Sequence, residues 1–366
     1  AHLFFRYQCS SVRSLLHSTT TMASTLTKAS VVTSAAGMRM PVIGLGTLTR
    51  STEEKVGEDE VGAVIDQALE AGYRHIDTAY MYNNEAAIGK ALKRWLDSGK
   101  IKREELFVVT KLPMVAMNKD LVEEYLRRSL TSLQLSYVDL FLLHKPVGFQ
   151  PGEALFPIDE KGYIKLDMNT DHAAIWKAME AQVDAGRTKF IGVSDFNIRQ
   201  MDRLMRVARI PPSTNQVECH LYFQQNELRE WGERHGVPVT AFACLGSPAA
   251  VTLFNGPKNM TESQLKSPMT EVEVVRIAQA YKKTPGQVLL RHLLQLGVAV
   301  IPKSSNPERL KQNLDIFDFK LSAREMAKLN ALDQGEEGRK FFVSNLGKGY
   351  DTHPECPYVK CPEHSN

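Results

Sequence analysis

The sequence predicts an α/β chain folded as a (β/α)8 TIM barrel, with an N-terminal β-hairpin and long loops at the C-terminal face. Three observations predict it. Short runs rich in Val, Ile, Leu and Phe alternate with helix-period segments from Val31 to Phe319. Those runs are apolar on both faces, which suits a parallel sheet covered on both sides. About eight such units fit in roughly 290 residues, the span such a barrel needs. The alternative, a doubly wound sheet, would usually carry a glycine-rich phosphate turn after its first strand. GLGTLT (Gly44–Thr49) has two of the three glycines and opens no helix. No GxxxxGK and no YxxxK sequence occurs in the chain.

The elements follow in order. VVTSAAGMRMPVIGLGT reads as a hairpin-like stretch. In Glu60–Ala71, Val61, Val64, Ile65, Ala68 and Leu69 keep the i, i+3, i+4 spacing of an amphipathic helix, and Gly72 stops it. RHIDTA is read as strand one, Asn84–Leu96 as a helix and LFVVTKL as strand two. Helix Asp120–Leu133 leads to VDLFLLH as strand three, and helix His172–Ala185 to KFIGVSDF as strand four. Helices at Arg199–Val207 and Glu227–His235 precede TNQVECH and PVTAFACL as strands five and six in the order helix, strand, helix, strand. Helices Val272–Tyr281 and Gln287–Gln295 come before VAVIPKS, strand seven; after helix Pro307–Leu314, IFDF is the candidate eighth. The longest irregular stretches are Lys145–Asp171 and Gly246–Pro268. Following strands three and six, they fall at the C-terminal face, where a barrel builds its chemistry.

Composition narrows the function. Of 366 residues, 43% are apolar and 24% charged, as in an ordinary soluble globular protein. A formal charge of +3 points to neither nucleic acid nor a membrane surface, and no apolar run reaches the ~18 residues of a membrane-spanning helix. Five cysteines are too few for a disulfide framework and fit a reducing compartment. Ala1–Thr52 lacks Asp and Glu but contains Arg6, Arg13, Lys28, Arg39 and Arg50. That suits a mitochondrial transit peptide; translated leader sequence upstream of a start at Met22 is the plainer reading. Residues 1–28 are therefore set apart as a leader or transit-like segment, and 29–366 are read as one domain including a C-terminal loop. The expected compartment is the cytoplasm, or the mitochondrion if the leader is a genuine transit peptide.

Polar residues at the carboxyl ends of barrel strands converge. Asp77 ends RHID, Tyr82 lies on the loop beyond, Lys111 ends LFVVTK and His144 ends VDLFLLH. An acid after a strand can be a helix cap, and a single histidine can be a core residue. Four titratable groups on neighbouring strands suggest a joint task. A phenol has a pKa of about 10, too high for a strong acid at neutral pH. Lys111 can lower it, Asp77 can keep Lys111 charged, and His144 can donate to a substrate carbonyl. Such a set protonates an oxygen as negative charge develops on it. No Cys or Ser nucleophile beside a base accompanies it, and no metal-ligand cluster.

GYRHIDTAYMYNNE, LFVVTKL, VDLFLLHKP, IGVSDFN, NQVECH, LGSP and IPKSSNPERLKQN together resemble the aldo-keto reductase superfamily, close to its aldose reductase branch, from about Lys28 to the C-terminus. The resemblance implies hydride transfer from NADPH, leaving NADP+, to an aldehyde or ketone, such as a sugar-derived or other small carbonyl compound; the alternative is a catalytically weak NADPH-binding barrel acting as a binding or structural protein. It implies Tyr82 as general acid, tuned by Lys111 and Asp77, with His144 orienting the carbonyl. It places the adenosine 2′-phosphate on Lys303, Ser304 and Arg309, and adenine near Gln312 and Asn313. The helix amino terminus with flanking cations in that segment also suits a phosphate. It puts the nicotinamide amide on Ser194, Asp195 and Gln216, the ring on Phe242, and further cofactor contacts at Thr47, Asp77, Leu245 and Ser247. The substrate pocket would be lined by Leu48, Tyr82, His144, Lys145 and Phe156. Many relatives are monomers, so a monomer with a small-molecule partner, and with neither nucleic acid nor membrane, is implied.

This chain departs from that pattern. Asp195 stands where asparagine is usual, and an ionised aspartate only accepts hydrogen bonds, so the cofactor amide is expected to be weakened or reoriented. Lys145 and Leu48 replace pocket tryptophans, which predicts a taste for polar or anionic carbonyls; a Lys145 that snorkels to solvent is the plainer reading. Phe242 replaces a tyrosine and keeps the stacking face. Ala243 and Cys244 replace a Ser-Pro pair and loosen the belt over the cofactor. The tail HPECPYVKCPEH resembles the family's HPEYPF-like end; its His353, Cys356, Cys361 and His364 lack a zinc-finger spacing, and no metal is expected.

Overall fold

The computed structural model describes residues 26–48, 57–247, 266–341 and 347–358. The chain opens with an antiparallel hairpin, β1 (Val31–Thr33) and β2 (Arg39–Pro41), and then enters an eight-stranded parallel sheet. Its strands are β3 (Leu45–Gly46), β4 (His75–Asp77), β5 (Phe107–Leu112), β6 (Val138–Leu143), β7 (Thr188–Ser194), β8 (Asn215–Glu218), β9 (Val239–Phe242) and β10 (Ala299–Val300). Each strand pairs with the next in sequence. The two rims then meet: Ile43 bridges Val300, Gly44 N donates to Val300 O at 2.9 Å and Val300 N to Val42 O at 2.8 Å. The sheet is thereby closed into a (β/α)8 barrel, with the N-terminal hairpin the sequence predicts.

The helices between strands are α1 (Glu58–Ala71), α2 (Glu85–Asp97), α3 (Val122–Leu133), α4 (His172–Asp184), α5 (Ile198–Met205) and α6 (Asn226–His235). After β9 come α7 (Val272–Tyr281) and α8 (Pro285–Gln295), and after β10 come α9 (Pro307–Leu314) and α10 (Ala323–Asn330). Helix α1 shows why they pack. Val61, Ile65, Ala68 and Leu69 form its buried stripe, and Gly72 ends it at φ 108°, its N–H reaching Ala68 O and Leu69 O. Inside the barrel, Val109, Leu140, Leu142 and Ala299 form one cluster with Met38 and Met40, so the hairpin plugs the end opposite the strand carboxyl termini.

Three expectations are corrected. The first barrel strand is Leu45–Gly46, inside the stretch read as hairpin; at two residues it is too short for periodicity to register. Gly46 is required there, since a Cβ would lie 2.6 Å from Ile301 O of the closing segment. Strands counted as one to seven are therefore the second to eighth, and the long insertions follow the fourth and seventh. IFDF (316–319) is not a strand; Phe317 and Asp318 form a bend. Helix α10 was not foreseen, although Ser322 and Glu325 form a reciprocal capping box at its start. Of the leader reading, residues 1–28, all but 26–28 lie outside the described residues, as does most of the second insertion.

Candidate active site

Lys111 is the centre of the site. It lies in β5 opposite Leu142, with its side chain fully enclosed. Nζ is held by Asp77 Oδ1, donates to Thr78 O at 2.8 Å, and reaches Tyr82 Oη at 3.5 Å. Burial alone would pull the ammonium's pKa down; the charges of Asp77 and then Tyr82 more than offset this, and the pKa stands above that of an ordinary lysine. Asp77, at the end of β4, has its other oxygen engaged by Gln216 Nε2 at 2.7 Å. One carboxylate therefore joins β4, β5 and β8.

Tyr82 is placed by a short 3-10 turn, Tyr80–Tyr82. Asn83 closes the turn in the left-handed region at φ 54°, which asparagine tolerates. Asn84 then ties the turn down: its amide donates to Thr47 O at 2.7 Å, and its Oδ1 accepts from Thr78 Oγ1 at 3.2 Å. Thr47 Oγ1 in turn donates to Asp77 O at 2.9 Å. The next residue, Glu85, accepts from Thr110 Oγ1 at 2.5 Å, and burial raises its pKa. His144 follows β6, is 7% exposed, and stands edge-on to the Tyr82 ring at 5.6 Å between centroids. The structure thus brings Asp77, Tyr82, Lys111 and His144 together. Asn84 and Glu85, which help place Tyr82, were not singled out from sequence, though both stand in the quoted NNE.

Around the mouth, Ser194 and Gln216 pair across β7 and β8, and Ser194 Oγ donates to Gln216 O at 2.8 Å. Phe242 ends β9 with its ring partly exposed and edge-on to Phe341 at 5.6 Å. Leu245 and Ser247 lie just beyond, partly buried, Ser247 at φ 40°. Past β10, Lys303 and Arg309 are exposed, Ser304 is buried and accepts from Asn306 N at 3.2 Å, and Asn306 caps α9 through Arg309 N. Gln312 is partly buried and Asn313 buried on α9. These residues run from the eighth strand back to the centre of the mouth. Leu48 is 38% exposed, while Phe156 packs on Phe149, whose ring meets Tyr350 of the tail.

The two departures at Lys145 and Asp195 turn out to be partners. Lys145 Nζ is held by Asp195 Oδ2, and the side chains are 11% and 3% exposed. Lys145 is therefore neither a snorkelling lysine nor an unpaired cation for anionic substrates: Asp195 neutralises it. A third residue joins them from the tail. Tyr358 Oη donates to Asp195 Oδ2 at 3.1 Å and lies 3.4 Å from Lys145 Nζ. Burial first, then the charge of Asp195, lifts the Tyr358 pKa well above that of a free phenol, so it keeps its proton. Lys145 Nζ is 5.6 Å from the centre of the Phe242 ring. Tyr358 was missed from sequence; the signal available was its place at the end of HPECPY, where HPEYPF carries phenylalanine.

The tail is further fixed by Glu355, bound to Arg203 Nη2 at 2.6 Å and Gln200 Nε2 at 3.1 Å, and by Asn197 Nδ2 donating to Pro357 O at 3.1 Å. His353 uses both ring nitrogens, Nε2 donating to Asp167 O at 2.7 Å while Nδ1 accepts from Glu355 N at 3.0 Å. Cys361 and His364 lie outside the described residues. Among the described residues, no group of three or more His, Cys, Asp and Glu is placed to hold a metal, and no helix is long and apolar enough to cross a membrane.

A family model described as the Aldo/keto reductase family matches residues 42–334. The chain is 39% identical over 336 residues to aldo-keto reductase family 1 member A1-A of Danio rerio, covering 90% of this chain and 98% of that protein. It is 37% identical over 326 residues to dihydrodiol dehydrogenase 3 of Bos taurus, covering 88% and 96%. The solved structure of the aldose reductase from Schistosoma japonicum aligns with a TM-score of 0.78 at 39% identity, over 90% of this chain and 98% of that one. The chain belongs to the aldo/keto reductase family, and is an oxidoreductase acting on carbonyl compounds with a nicotinamide cofactor.

Proposed function

We propose, with that family membership as premise, that this chain reduces aldehydes or ketones, sugar-derived or other small carbonyl compounds, to alcohols with NADPH. The observation that carries the reading is the Tyr82 hydroxyl facing an ammonium that Asp77 keeps charged inside the barrel. Residues at the mouth fit the cofactor chemically. Phe242 offers a flat, partly exposed face for an aromatic ring. Lys303 and Arg309 flank the amino terminus of α9, a setting for a phosphate, and an adenosine 2′-phosphate is what separates NADPH from NADH. Gln312 and Asn313 lie on the same helix, within reach of adenine.

Bound NADPH would supply the hydride. The protein's own residues handle the oxygen. His144 donates a hydrogen bond to the substrate carbonyl and fixes its direction. As charge develops there, the Tyr82 O–H bond breaks and its proton becomes the hydroxyl proton of the alcohol. Lys111 stabilises the resulting phenolate, and Asp77 prevents Lys111 from losing its own proton. Solvent then reprotonates Tyr82.

The test follows nicotinamide absorbance with NADPH and a panel of neutral and anionic carbonyl compounds. Tyr82→Phe is expected to lower turnover about 10²- to 10⁴-fold while NADPH still binds. Turnover that survives the substitution would remove Tyr82 from its role. Free thiols at Cys219, Cys244 and Cys356 suit a reducing compartment, the cytosol or the mitochondrial matrix alike.

A further inference from the structure

A primary carboxamide presents two N–H donors and one oxygen that must accept. The side chains proposed to receive the nicotinamide amide are rich in acceptors. Ser194 has its hydroxyl proton committed to Gln216 O, which leaves its lone pairs. Gln216 turns its NH2 edge to Asp77, so its oxygen edge faces away from that carboxylate. Asp195 accepts only. The ammonium beside them is Lys145, bound to Asp195, touching Tyr358, and 5.6 Å from the centre of the Phe242 ring. An ammonium carries three donors, and two point at Asp195 and Tyr358.

We infer that Lys145 is a cofactor-positioning residue, whose ammonium donates to the nicotinamide carboxamide oxygen while Asp195 neutralises it and Tyr358 braces the pair. This rests on the proposed seat of the nicotinamide on Phe242. It gives Asp195 a reason to be an acid: with lysine supplying the donor, an asparagine would leave the ammonium without a counter-ion. It also makes the tail part of cofactor recognition, since Tyr358 reaches the same carboxylate oxygen as Lys145.

The test measures dissociation constants, by quenching of protein fluorescence, for NADPH and for its thionicotinamide analogue, in which the amide oxygen is sulfur and a weaker acceptor. Three proteins are compared: the unmutated chain, Lys145→Met/Asp195→Asn and Lys145→Met/Asp195→Leu. Both double variants remove the two charges together, so neither leaves a buried ion unpaired. The unmutated chain is expected to prefer NADPH over the analogue by about tenfold. The asparagine variant, which brings its own N–H, keeps most of that preference; the leucine variant loses it and binds NADPH about tenfold more weakly. An equal preference in all three proteins would overturn the inference and leave the proposed function standing. Failure of the unmutated chain to bind NADPH would overturn the proposed function, and this inference with it.

Discussion

Two lysines stand at the mouth of this barrel, each held by an aspartate and each facing a tyrosine hydroxyl. Lys111 and Asp77 come from adjacent strands, are 0% and 1% exposed, and point at Tyr82. Lys145 and Asp195 come from the loops after the fourth and fifth strands, are 11% and 3% exposed, and point at Tyr358 of the tail. The first pair is enclosed by the sheet, and its carboxylate is engaged from two sides by Lys111 and Gln216. The second is closed by a segment that docks from outside. On the proposed reading one arrangement serves two ends: buried in the sheet it tunes the tyrosine proposed to react, and at the rim it positions the proposed cofactor.

The comparison breaks first on stability. Removing the cation from the deeper pair leaves Asp77 buried without its counter-ion, so Lys111→Met is expected to cost about 3–5 kcal/mol in denaturant unfolding. Lys145→Met should cost less, about 2 kcal/mol, because Asp195 keeps the Tyr358 hydroxyl and lies nearer water. Equal losses would mean that depth does not separate the pairs. A control away from both pairs comes next. His292, on α8, donates through Nε2 to Asn330 Oδ1 at 2.7 Å, and burial holds its pKa at about 4 against 6.5 when unfolded. Between those values the unfolded chain binds a proton that the folded chain does not. Stability should therefore fall as pH drops from 6.5 to 4, by about 3 kcal/mol in total. His292→Gln should flatten that slope while the two pairs stay intact; an unchanged slope would put the acid sensitivity elsewhere. The smallest effect is Tyr358→Phe, which deletes one hydroxyl. Loss of about 1 kcal/mol of tail docking is expected, read as faster proteolytic cleavage within residues 347–358 under native conditions.

The two regions also differ in how much of them sequence revealed. Asp77 ends a short apolar run and Lys111 and His144 end longer ones, so a barrel hypothesis alone brings them together. Lys145 and Asp195 could each be seen to break a pattern, yet nothing local says that they touch. They lie on different loops, and Tyr358 is farther along still; only the curl of the sheet makes them neighbours. Element boundaries behaved similarly. Pro307–Leu314 is readable to the residue, because Asn306 and Pro307 mark its start; Val272–Tyr281 is readable from its apolar stripe alone, since Glu271 makes no side-chain cap. Leu45–Gly46 was not, because a two-residue strand has no period and is defined by its neighbours, Ile76 and Asp77. Helix α10 was overlooked despite a capping box that local chemistry makes legible.

The closing of the sheet has a consequence for how this protein is made. Ile43 meets Val300 only after nearly the whole barrel has left the ribosome. Until then the sheet has two open rims, Leu45–Gly46 on one side and Val239–Phe242 on the other, each offering unpaired backbone groups to any passing strand. Contacts so distant in sequence form late. The short strand Ala299–Val300 is the seam, and a chain stopped before it is a sticky ribbon rather than a smaller barrel.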